Sequence, residues 1–177
     1  MGFALSVRQY WSAVGVSAAL GLAVPTAAAD LNLPVATRVI SFLQPAPSGA
    51  IPAAIVYQPG NAASEAEAAS IEHAGPLVAG KGTLKLKRVA ANALGGLAGM
   101  HVAFVTSGLR EAEGQIAAAA ARGSILTITS DQACVQAGHC VVAISNAAHV
   151  QITVSRAAAK AANIQFGSAF LMLVKEI

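Results

Sequence analysis

Residues 101–130, HVAFVTSGLREAEGQIAAAAARGSILTITS, read as a strand, a helix and a second strand. His101 to Thr106 is a short, unbroken run dominated by apolar and β-branched residues, the pattern of a strand buried on both faces inside a parallel sheet. Ser107-Gly108 ends it. From Leu109 to Arg122 a helix is expected, with Glu111 and Glu113 near its positive N-terminal end, Arg122 near its C-terminal end, and Gly123 as the cap. Ile125 to Thr129 follows at once as another buried strand. Two such strands joined through a helix form a crossover unit, and crossover units build parallel sheets.

The segments upstream follow the same grammar. Val35, Val39, Ile40 and Leu43 recur at helical steps from Leu33 to Leu43, and Pro34 suits a first turn. After the Pro-rich break at 44–49, Ile51 to Tyr57 has the length and composition of a buried strand. Ser64 and Glu67 have the S-x-x-E spacing of a capping box, so a helix is expected from there toward His73, stopped by Gly75-Pro76. Thr83 to Val89 alternates Leu84 and Leu86 with Lys85 and Lys87, the period of a half-exposed edge strand.

Downstream, Cys140 to Ser145 and Val150 to Val154 are strand-like, with a short turn between them, and predict an antiparallel hairpin at the sheet edge. Ser155 to Ala162 and Phe170 to Lys175 are expected as two short closing helices. The whole reads as one compact α/β domain: a mainly parallel central sheet flanked by helices in Rossmann-like layers, with a C-terminal edge hairpin.

The N-terminus is different in kind. Met1 to Tyr10 carries Arg8 and no acid, and an uncharged apolar stretch of about fourteen residues runs from Trp11 to Val24, short of the roughly twenty a spanning helix needs. Small residues at Ala27 and Ala29 complete the pattern of an export signal, with cleavage expected between Ala29 and Asp30. Residues 1–29 are therefore expected to be a signal peptide and 30–177 the working domain. Cleavage would remove one of the 11 basic residues, Arg8, leaving a net charge of about +2 against 8 acidic residues. That balance gives no footing for nucleic acid or for an anionic membrane surface.

The cysteines take their meaning from the compartment. Cys134-Val-Gln-Ala-Gly-His-Cys140 spans a Gly-containing loop, and in an exported protein two such thiols are expected to form a disulfide. A metal site from Cys134, His139 and Cys140 lacks an evident fourth ligand, and a redox pair lacks the C-x-x-C spacing; both stand as alternatives. No other chemistry emerges. His73, His101 and His149 are scattered, G-x-S-x-G and the phosphate-loop motifs are absent, and Glu65, Glu67 and Glu72 read as a solvated helix face. No cofactor is implied. Lys81, Lys85, Lys87 and Arg88 lack interleaved aromatics and read as a solvated strand edge, whose functional version would be an edge offered to a partner protein. A parallel sheet also offers a ligand crevice at its strand C-terminal ends, here near Ser107-Gly108 and Ser130-Asp131, which motivates a small-molecule binding module as the alternative function.

Taken together, the segments resemble the YfiR/HmsC-like periplasmic proteins. The resemblance runs through Ile40-Ser41-Phe42, Ile51 to Tyr57, Gly80-Lys81, Leu97 to Val105, Ile125 to Asp131, the cysteine loop, Val150 to Val154, and Phe166 to Met172. It implies a non-enzymatic periplasmic regulator that binds the periplasmic domain of an inner-membrane signalling protein, a diguanylate cyclase or sensor kinase, and holds it inactive. Cyclic-di-GMP and biofilm formation would rise when that hold is lost. Family members carry up to two disulfides, and Cys134 with Cys140 matches the C-terminal one. Val39, Ile40 and Phe42 in the early helix and Phe170 and Met172 near the C-terminus are the candidates for a homodimer or partner surface, but apolar stripes at helical spacing usually face inward, so burial in the core is the favoured reading for each.

Overall fold

A computed structural model describes residues 1–2, 31–146 and 149–177. The expected signal segment and its cleavage point, Ala29 and Asp30, lie outside the described residues. Helix α1 (Leu33–Ser41) begins where the Asn32 side chain accepts a hydrogen bond from the Val35 N–H at 3.1 Å, with Pro34 in the first turn where its missing N–H costs nothing. Strand β1 (Ser48–Tyr57) leads to α2 (Ala62–His73), then to the two-residue β2 (Val78–Ala79) and to β3 (Lys81–Ala90). A 3-10 turn at Leu94–Leu97 precedes β4 (Val102–Val105), α3 (Glu113–Gly123) and β5 (Leu126–Thr129). The chain ends with α4 (Gln132–Gln136), β6 (Val142–Asn146), β7 (Val150–Val154), α5 (Arg156–Ala161), α6 (Ser168–Leu171) and β8 (Lys175–Glu176).

The strands form one eight-stranded sheet in the order β2-β3-β1-β4-β5-β6-β7-β8. β3, β1, β4, β5 and β6 run parallel, while β2 and β7 are antiparallel to β3 and β6. The parallel strands are crossed in the order second, first, third, fourth, fifth, so the winding reverses between β1 and β4. The single α/β domain with its mainly parallel sheet and C-terminal hairpin matches the expectation.

Side-chain alternation along the central strands explains the two layers. Ile55, Phe104, Ile128 and Ile144 point to one face, where they pack with Val39 and Ile40 of α1, Ala68 and Ile71 of α2, and Phe170. Ala54, Ala103 and Ala143 point to the other, where small residues bring Ile116 and Ala120 of the alanine-rich α3 close to the sheet. Both faces are covered, which is why the strands lack polar alternation.

Several expectations need correction. The helix over 109–122 starts at Glu113, and Gly123 is its last helical residue; Ser124 takes the left-handed cap conformation at φ 50. Phe170 to Lys175 is not a helix: α6 stops at Leu171, and Lys175–Glu176 pairs alongside Thr153–Val154. β8 therefore lies outside the hairpin. β3 is an edge only in part, because β2 covers Gly82 and Thr83 and leaves the stretch with the exposed Lys85 and Lys87 without an outer strand.

Candidate functional site

The reversal between β1 and β4 is where a doubly wound sheet usually opens a crevice. Here α2 closes it. Asn61 caps α2 by accepting from the N–H groups of Ala63 and Ser64, both at 3.1 Å. Gly108, at φ +80, leaves room for that cap, since a Cβ there would lie 2.6 Å from the Asn61 Nδ2. Ser64 is fully buried and ends up in a chain of hydrogen bonds. The Gln58 N–H donates to Ser64 Oγ at 2.8 Å, and Thr106 Oγ1 donates to the Val56 carbonyl at 3.0 Å. The 2.7 Å contact between the two hydroxyls therefore has Ser64 as donor.

One helical turn on, Glu67 is 2% exposed, not on a solvated face. Its Oε2 accepts from the Ser107 N–H at 2.7 Å and its Oε1 from the Ser130 hydroxyl at 3.1 Å. Ser64 and Glu67 are thus no capping box: their i, i+3 spacing turns both toward the ends of β4 and β5, and Asn61 takes the cap. The S-x-x-E spacing was the available signal for these two residues. It was ambiguous because one spacing serves both a cap and an inward-facing pair.

The predicted crevice residues meet different fates. Ser107, Gly108 and Ser130 converge on α2, so the space expected for a ligand holds Asn61, Ser64 and Glu67. Asp131 turns away to cap α4, accepting from the Ala133 N–H at 2.8 Å. The clefts of about 620 and 460 Å³ lie elsewhere, the first beside Leu31, Pro34 and Leu77, the second beside Phe166, Leu171 and Glu176.

Cys134 and Cys140 form a disulfide, with Cα atoms 5.3 Å apart and both residues buried. The loop is also closed by hydrogen bonds, since the N–H groups of His139 and Cys140 both donate to the Cys134 carbonyl. His139 Nδ1 lies 3.4 Å from Oε2 of the buried Glu113, tying the loop to the start of α3. Among the described residues no three His, Cys, Asp or Glu side chains converge as metal ligands, and no helix is long and apolar enough to cross a membrane.

The candidates for a partner surface divide. Val39, Ile40 and Phe170 are buried in the core, so they offer no surface on the folded chain. Phe42 is half-buried and stacks on Phe170 with ring centroids 5.1 Å apart, while Phe166 packs on Phe170 at 5.0 Å. Met172 is 85% exposed, and beside it Leu173, which is not among those candidates, is 80% exposed.

Comparison with known proteins bears on the fold and the family. A family model described as YfiR/HmsC-like matches residues 52–175. The structure is similar to a conserved domain protein from Vibrio cholerae (TM-score 0.58, 12% identity, covering 81% of this chain and 58% of that one). It is also similar to the ligand-free, open form of a substrate-binding protein with adhesive properties from Clostridium difficile (TM-score 0.55, 11% identity, covering 72% of this chain and 54% of that one). At such identities the likeness is one of fold, and the chain spans little more than half the length of these structures. No curated protein matches the sequence.

Proposed function

We propose, from the premise that this chain belongs to the YfiR/HmsC-like family, that it is a periplasmic regulator that works by binding another protein and carries out no reaction of its own. Its partner on this reading is the periplasmic domain of an inner-membrane diguanylate cyclase, which it holds inactive, so that cyclic-di-GMP and biofilm formation rise when it is lost. The observation that carries the reading is where the molecule spends its apolar and polar groups. The strand-end crevice is filled by the chain's own side chains, whereas Met172 and Leu173, the most exposed large apolar residues from Leu31 onward, stand side by side on the turn after α6. Adjacent exposed apolar side chains are a feature of protein docking surfaces.

Crosslinking in intact cells followed by purification under denaturing conditions tests this. The expected product is a membrane protein carrying a cyclase domain, with capture lost in the double variant Met172→Lys, Leu173→Lys while its melting temperature stays that of the wild type. Recovery of no membrane protein, together with unchanged cyclic-di-GMP in a strain lacking this chain, sinks the proposal.

A further inference from the structure

We infer that the C-terminal ends of β4 and β5 form a carboxylate-binding site that the chain fills in cis with Glu67. The site is built from a backbone N–H, at Ser107, and a hydroxyl, at Ser130, both aimed at one carboxylate at 2.7 and 3.1 Å. It lies beside the winding reversal of the sheet, where this class of fold places its ligands. The carboxyl group is buried, and a polar group withdrawn from water is tolerated only when hydrogen bonds replace its hydration. A second observation marks the same strand end as polar beyond the needs of packing: Ser107 Oγ is buried and has no hydrogen-bond partner.

Tethering explains why the site stays closed. A carboxylate carried on α2, itself anchored through Asn61 and the Ser64–Thr106 hydroxyl pair, faces its donors at an effective concentration that a free carboxylate in solution does not reach. Glu67 is thus a positioning residue that seats α2 on the sheet, and the chemistry that seats it is ligand recognition. The inference is independent of any partner protein.

Glu67→Ala removes a CH₂–COO⁻ group, the size and charge of one acetate ion. In the full chain, E67A is expected to melt about 5 °C or more below the wild type. Acetate should restore part of that loss saturably, while chloride at equal ionic strength restores none and the wild type responds to neither. Equal, non-saturating shifts with acetate and chloride, or an equal acetate shift in the wild type, overturn the inference. Should E67A not fold, the variants E67Q, S130A and their double decide: a double loss smaller than the sum of the single losses supports the site, and additive losses overturn it.

Discussion

Cys134 and Cys140 are six residues apart, and a loop that short removes little freedom from the unfolded chain. Replacing both with Ser is expected to cost about 2 kcal/mol and leave the domain folded, as read by urea unfolding, with two free thiols appearing when the wild type is reduced. The bridge was legible because its evidence is two residues and an expected compartment. Glu67 was not. Its neighbours Glu65 and Glu72 share its charge and its helix, and what separates it from them is the rotation of α2 about its axis, which brings Ser107 and Ser130 within reach across 40 and 63 residues of chain. Ser64 is ambiguous in sequence for the same reason, since a hydroxyl that bonds Thr106 and one that caps a helix occupy the same place along the chain.

Gly108 shows how one backbone position governs an element. At φ +80, with a virtual Cβ 2.6 Å from the Asn61 side chain, Gly108→Ala is expected to strain the β4 exit and push the α2 cap aside. The combined cost should be about 1–3 kcal/mol. Hydrogen exchange should show the loss first at the Ala63 and Ser64 amides, which the Asn61 side chain holds; unchanged protection there would refute this. Elements with a long enough pattern were readable: β1, β4 and β5 from unbroken apolar runs, and α1 from Val35, Val39, Ile40 and Leu43 at three- and four-residue steps. β2 and β8 have two residues each, too few to show a period, and exist because β3 and β7 offer them a neighbour. α4 was hidden by its length and by the cysteines, which drew the reading toward a loop.

For the molecule as a whole, the C-terminal segment is fastened to the start of the domain. Gln44 N–H donates to the Gln165 carbonyl, Gly167 N–H donates to the Phe42 carbonyl, and Phe42 and Phe166 both pack on the buried Phe170. Phe170→Ala removes the common partner of both rings and is expected to cost about 3–5 kcal/mol, measured as a lowered denaturation midpoint with one cooperative transition. Two separate transitions would mean that this corner unfolds on its own. The layered α/β plan was readable because both faces of the sheet are apolar, but the corner was not, since its rings come from opposite ends of the chain.

The two short outer strands carry one more consequence. A long bare strand at either end of a sheet is a template on which copies of a chain can stack without limit. Here each end finishes in a strand of two residues, and the uncovered part of β3 presents Lys85 and Lys87. Stacking of further strands therefore has a shortened edge to start from at each end, and on the stretch of β3 beyond Thr83 it would bring the lysines of one copy against those of the next.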